Sequence, residues 1–341
     1  MLSIQLVQFV LGIAVLLLFH ELGHFLAARF MNVEVEEFGI GFPPRALKLF
    51  TYKGTLYSLN WLPLGGFVRP KGENDPSIPG GLAAASPWVR LGVLFAGPAM
   101  NLMIGVILGI FLFYQIGNPV PDKVVISHIE PDTPAAEAGL RDGDLFVAVN
   151  GEPIDDSLAL QELITQNLGK PTEFELQREN QNIMVVITPR VDYPEGQGPI
   201  GVGITNPTTP IDFGTAVNRG ITAAYENIRA LLLLPVRLIG GQASPQEGRL
   251  LGYKGMFDIF RYIQSPLWFF MAISISLGVI NLFPIPALDG GRILLTLPEI
   301  IFKKRIPAQY ENMIHMVGFT LLLFLLIYIN VQDFLNPINL P

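Results

Sequence analysis

His20-Glu21-Leu22-Gly23-His24 sits where a long apolar run meets its first charges. On a helix, side chains four apart lie one turn above each other, so both imidazoles can hold one Zn²⁺. Glu21 stands about 100° round the helix, in reach of a water beside that metal. The pattern is short, and two histidines on a solvated helix face beside a solvated glutamate would also produce it. Here residues 1–19 carry no charged side chain. An ionisable cluster closing an apolar helix of membrane length is costly, and is a functional site by default. The chain has no cysteine, so a metal must be held by histidine and carboxylate, the donor set of catalytic zinc sites. The other two histidines, His128 and His315, read as structural: one in a strand-like polar stretch, one at the start of an apolar helix.

Half of the 341 residues are hydrophobic and only 15% are charged, and the mean hydropathy is positive. That is the composition of a membrane protein, with the lipid bilayer as its first partner. A net charge of −7 and the lack of a basic stripe with interleaved aromatics exclude nucleic acid as a partner.

Residues 1–19 lack the basic start and small-residue cleavage site of a signal peptide. A span over about 4–30, with HELGH near its far end, fits better. The Gly/Pro-rich stretch Phe38–Pro44 leads into Thr55–Arg69, whose alternating aromatic-rich runs around Pro63-Leu-Gly-Gly66 predict strands joined by a tight turn. A hairpin over about 38–70 follows, lying on the bilayer surface or touching substrate. A second uncharged run, about 91–114, is long enough to span. It carries Gly97-Pro-Ala-Met-Asn101, where Gly97 lets another backbone approach and Asn101 brings an amide into the bilayer interior. That spacing suits helix packing and a site role equally.

From Pro121 the composition becomes that of a soluble domain, with strand, turn and helix signals fitting one compact β-rich unit over 121–206. Residues 207–262 read as amphipathic juxtamembrane helices and linker. A third apolar run, about 266–283, ends in Asn281-Leu-Phe-Pro-Ile-Pro-Ala-Leu-Asp-Gly-Gly291. Two prolines there break the helix, which puts Asp289 on irregular backbone at membrane depth. A fourth span follows at about 313–330. The fold class expected is thus a multi-span α-helical membrane protein with four transmembrane helices. Its membrane core is made of 1–120 and 263–341, with the β-rich domain inserted between.

Lys and Arg cluster in two loops: Arg29, Arg45, Lys48, Lys53, Arg69, Lys71 and Arg90 in one, and Arg292, Lys303, Lys304 and Arg305 in the other. The positive-inside rule makes both loops cytoplasmic, and both termini and the β-rich domain extracytoplasmic. HELGH and Asp289 then share the cytoplasmic end of their helices, although their spans are assigned independently.

HELGH in a first span, GPAMN in a second, PAAEAGLRDGD with VNG in the insert, and NLFPIPALDGG in a third span together resemble the site-2 proteases, peptidase family M50. The bacterial RseP-type intramembrane zinc metalloproteases are the nearest group, and the resemblance covers nearly the whole chain. It implies a bacterial inner-membrane enzyme with Zn²⁺ held by His20, His24 and Asp289, and Glu21 as the catalytic residue that activates water. It further implies substrate-binding roles for Asn281 and Asn101, a membrane-associated β-hairpin that pairs with extended substrate, and an inserted PDZ domain. The strand Pro199–Ile204 would border the peptide groove of that domain, which would either capture a peptide C-terminus or screen out substrates with a bulky outer domain, the role the resemblance favours. The implied substrates are single-span membrane proteins such as anti-sigma factors trimmed by an earlier cleavage, and remnant signal peptides. The best-known enterobacterial members carry two PDZ domains, whereas this chain has room for one. Two other classes fit parts of the pattern. A non-catalytic PDZ scaffold binding peptide C-termini would lack the glutamate or a ligand. A metal transporter would carry ionisable residues along several spans.

Overall fold

The computed structural model describes residues 2–194, 197–242, 248–263 and 265–338. Residues 243–247 of the juxtamembrane segment expected at 207–262 lie outside them. The chain divides into two compact units, Met1–Leu112 with Val217–Leu340, and Phe113–Ala216.

The first unit begins with α1 (Leu2–Phe30), a 29-residue helix without an acidic residue in its first turn. Two long strands follow, β1 (Val35–Tyr52) and β2 (Thr55–Pro70), joined at Lys53-Gly54, where both residues take positive φ. Their register is folded over. The start of β1, Glu37–Ile40, lies beside both Leu56–Leu59 and Gly66–Arg69, while its end, Arg45–Tyr52, pairs with Thr55–Asn60. The expected turn at Pro63-Leu-Gly-Gly66 is therefore a fold-back inside β2, and the hairpin tip lies earlier in the chain. Gly65 has φ +75°, and a Cβ there would stand 2.6 Å from Leu17 Cβ. The missing side chains let the fold-back lie on α1 one turn before His20. Glu37, buried in the sheet, accepts from Arg45 Nε at 2.8 Å and from Arg69 Nη2 at 2.7 Å.

Helix α2 (Pro87–Ile116) follows. The second unit then holds β3 (Asn118–Pro119), β4 (Val124–Ile129), α3 (Pro134–Glu137), β5 (Leu145–Val149), β6 (Glu152–Pro153) and α4 (Ser157–Gln166). It continues with β7 (Thr172–Arg178), β8 (Gln181–Ile187), β9 (Val202–Thr205) and β10 (Thr208–Thr209). The antiparallel sheet runs β8-β7-β5-β4-β9, with β6 on β5. Phe146 and Val149 of β5, on either side of an irregularity in its pairing, and Phe174 and Leu176 of β7 form a core joined by Leu160 and Ile164 of α4. Asp156 caps α4 by accepting from Ala159 N–H at 2.7 Å, worth ~1 kcal/mol. A groove of ≈ 290 Å³ lies between α4 (Leu160, Gln161, Ile164, Thr165) and β9 (Val202, Ile204).

Asp144 is the buried charge of this unit, 1% exposed. It accepts from Arg178 Nε at 2.7 Å and Nη2 at 2.6 Å, and from the Arg141 amide at 2.9 Å. Burial pushes its pKa up, but those hydrogen bonds and the two arginine charges outweigh burial and hold it below the usual carboxylate value. A folded pKa below the unfolded one gives stability that is present above about pH 4 and lost as pH falls through the folded value. Arg178→Leu should therefore loosen this unit at neutral pH. Hydrogen exchange of the β5 and β7 amides should be at least ~10-fold faster, and the difference from wild type should shrink in acid. Unchanged exchange at pH 7 would deny the pair a stabilising role.

The first unit resumes within α5 (Phe213–Ile239) and continues with α6 (Tyr253–Tyr262), α7 (Pro266–Asn281), α8 (Asp289–Phe302) and α9 (Ala308–Leu335). Among the described residues, α1, α2 and α9 are the helices long and apolar enough to cross a membrane. The third of the four expected spans, α7, has 16 residues, ~24 Å of helix against a hydrocarbon core of ~30 Å. It ends early because Pro284 and Pro286 lack the N–H groups that would continue it. Phe9 and Ile13 of α1 pack with Phe260 of α6 and Phe269 of α7. Helix α2 meets α7 closely enough that a Cβ on Gly105 would stand 2.5 Å from Ile275 Cγ1.

Candidate metal centre

The two histidines of α1 and the first residue of α8 meet at one point. His20 Nε2 and His24 Nε2 stand 3.1 Å apart, and Asp289 Oδ2 lies 3.2 Å from the first and 3.3 Å from the second. Tetrahedral ligands bound at about 2.0–2.1 Å must stand ~3.3 Å from one another. The triangle therefore has the size of a zinc face. Two imidazole nitrogens and a carboxylate oxygen are the donor set of a catalytic zinc site. Among the described residues this is the one cluster of three or more such side chains that could hold a metal.

Outer contacts bear on the tautomers of the two histidines. His24 Nδ1–H donates to the Val93 carbonyl of α2 at 2.8 Å, which leaves Nε2 as a lone pair. Asn101, 0% exposed, places its amide 3.2 Å from His20 Nδ1. With Nε2 on a metal, His20 Nδ1 carries the proton and calls for an acceptor. A half-turn of the amide presents Asn101 Oδ1, which is otherwise buried without a partner. Asn101, for which substrate contact was expected, thus stands behind His20, outside the lining of the cavity.

Gly97, expected to let another backbone approach, makes room for an imidazole. A Cβ there would lie 2.2 Å from His24 Nε2. The close helix contact belongs to Gly23, whose Cβ would meet the Ala96 carbonyl at 2.4 Å. The glycines after Asp289 act in the same way. A Cβ on Gly290 would meet the Phe283 carbonyl at 2.2 Å, and one on Gly291 the Ile285 carbonyl at 2.2 Å. Only a side-chain-free helix start can sit on that turn and deliver Asp289 to the histidines.

Glu21 faces the same cavity, of ≈ 300 Å³, with Asn281 at the end of α7 on its wall. The Val68 N–H of β2 donates to Glu21 Oε2 at 3.1 Å, so the hairpin holds the carboxylate that neighbours the ligands. Arg292, one turn after Asp289, pairs with Glu73 across the cavity. The structure thus brings His20, Glu21, His24, Asp289 and Asn281 to one cavity, and sets Asn101 behind it. The Val93 carbonyl and Val68 amide are backbone groups, which carry no signal in a sequence.

The profile of peptidase family M50 matches residues 8–325. A Campylobacter jejuni protein with a provisional zinc-metalloprotease name is 34% identical over 354 residues, covering 97% of this chain and 93% of its own. Zinc metalloprotease RasP of Geobacillus kaustophilus is 27% identical over 416 residues, covering 96% and 97%. Among solved structures, the PDZ domain of an SdrC-like protein from Listeria monocytogenes aligns with 25% of this chain and 90% of its own. The identity is 22% and the TM-score 0.23.

Proposed function

The chain belongs to peptidase family M50 and is a zinc metalloprotease of the membrane; from that premise we propose that it cuts the transmembrane segments of single-span membrane proteins. The observation that carries this reading is the triangle of His20, His24 and Asp289 beside Glu21, with both histidines and Glu21 on a helix of membrane length. His20 and His24 would hold zinc through Nε2, and Asp289 through Oδ2. Zinc when bound supplies Lewis acidity and lowers the pKa of water toward 7. Glu21, steadied by the Val68 amide, takes the proton of the attacking water and passes it to the leaving amide nitrogen. Asn281, on the cavity wall, contacts the substrate backbone, and Asn101 holds the tautomer of His20.

A helical substrate hides its carbonyls in intrahelical bonds and must unwind to be cut. A strand of the hairpin can supply the lost backbone partners. The hairpin exposes Phe42, Leu47, Phe50, Trp61 and Leu62, an apolar surface that suits contact with lipid. We place α7 as a fourth, short span. The active site then lies toward the cytoplasm, and the Phe113–Ala216 unit lies outside as a PDZ domain whose α4–β9 groove takes a peptide C-terminus. Anti-sigma factors already trimmed outside, and remnant signal peptides, are the substrates we propose.

The lack of native cysteine makes labelling direct. A cysteine at Ser157 should react with a membrane-impermeant maleimide in intact cells, and one at Ser77 only after the membrane is opened. The reverse pattern would invert the orientation. Purified protein should also cut a model single-span substrate within its membrane segment, mapped by mass spectrometry. Cleavage confined to flanking soluble sequence would reject the intramembrane reading.

A further inference from the structure

Asp289 reaches the metal from the end of a strained turn. Ile285-Pro286-Ala287-Leu288 is closed by the Leu288 N–H donating to the Ile285 carbonyl at 3.2 Å. Proline in second place and φ +75° at Ala287 make this a type II turn. Its third position favours glycine, because positive φ crowds the Cβ that an alanine carries. The turn's own hydrogen bond uses the Leu288 amide and leaves the Ala287 amide over.

That amide is taken from outside. Ala287 N–H donates to His315 Nδ1 of α9 at 3.0 Å. One turn further on, Gly318 lets α9 close on the turn, since a Cβ there would stand 2.3 Å from Pro286 Cβ. Of the 28 residues of α9 only Gly318 and Asp333 are buried, so the docking on the turn is local. The contact also carries a cost. Accepting at Nδ1 puts the neutral ring's proton on Nε2, which is buried without a partner. A leucine would fill the same space without that cost, but it could not accept the Ala287 amide.

We propose that His315 is a positioning residue of the metal site. It holds the Ala287 turn in a conformation that alanine disfavours, and so sets Asp289, two residues on, at the point where its Oδ2 meets the histidines. This rests on Asp289 being a zinc ligand.

The test is the zinc affinity of purified protein, measured by competition with a chelator, and it needs no substrate. His315→Leu should weaken zinc ~10–100-fold, while His315→Asn, whose Oδ1 can replace Nδ1 as acceptor, should stay within about threefold of wild type. Ala287→Gly in the His315→Leu background should restore most of the loss, because glycine adopts positive φ unaided. Wild-type affinity in His315→Leu would overturn the proposal. So would His315→Asn as poor as the leucine variant, or no recovery with Ala287→Gly, since packing alone would then explain the loss. Asp289→Ala is the control: if it keeps its zinc, the ligand assignment fails, which is a different result from failure at His315.

Discussion

Glu21→Gln should abolish cleavage of a single-span substrate while the purified protein keeps about one zinc per chain. Glutamine has the size of glutamate and its carbonyl can still accept the Val68 N–H that Glu21 Oε2 accepts at 3.1 Å. What it lacks is a lone pair basic enough to take a proton from water, and general-base catalysis is worth ~10²–10⁴-fold. Asp289→Ala and His24→Ala should fail differently. Each deletes one corner of the triangle whose edges are 3.1, 3.2 and 3.3 Å. Two protein ligands hold zinc poorly, so metal and activity should vanish together. Elemental analysis beside a cleavage assay separates the roles. Full zinc in Asp289→Ala would remove Asp289 from the site, and near-normal turnover in Glu21→Gln would remove Glu21 from the chemistry.

The parts of the site legible in the sequence were those written in side chains that are expensive where they stand. HELGH stands out because nothing before it is charged, and Asp289 because two prolines in an apolar region predict irregular backbone; the structure corrects that last expectation, since the break ends at Leu288 and Asp289 opens α8. Nothing in a pattern at either end of the chain says that they meet at 3.2 Å. The shared depth inferred from loop charges was as far as the residues alone could carry it.

What stayed hidden had physical reasons. Backbone partners such as the Val68 amide and the Val93 carbonyl exist at every position, so none stands out until the fold selects one. His315 read as a packed histidine because its partner is also a backbone amide. The clue to that partner was masked by an alanine in a place where a glycine would have announced positive φ. The hairpin showed its Pro63-Leu-Gly-Gly66 fold-back, but not that β1 lies beside two separate stretches of β2, since pairing across a fold leaves no local period. The third span read as longer than α7 because hydropathy counts Leu282 and Phe283, while the helix stops at the backbone consequences of Pro284.

Gly97 offers the second large effect, from the smallest possible change. In Gly97→Ala the new methyl would lie 2.2 Å from His24 Nε2, 2.6 Å from Cε1 and 2.7 Å from Cδ2, well inside ordinary van der Waals contact. The ring has nowhere to retreat. Its Nδ1 is tied to the Val93 carbonyl on the same helix at 2.8 Å. Nor can α1 and α2 separate cheaply, since they touch where a Cβ on Gly23 would be 2.4 Å from the Ala96 carbonyl. Something must yield, and the ring is held by less than the helices are. Nε2 should leave the triangle, with zinc affinity falling at least ~100-fold and cleavage lost with it. The fold should survive: overpacking costs ~1–3 kcal/mol, and alanine returns up to ~1 kcal/mol over glycine within a helix. Gly105→Ala, on the same helix, is the matched control, because its methyl would crowd Ile275 Cγ1 at 2.5 Å without touching a ligand. It should lower the melting temperature and leave zinc in place. Equal zinc loss in both variants would assign the effect to helix packing, and full zinc in Gly97→Ala would show that His24 does not need the space this glycine leaves.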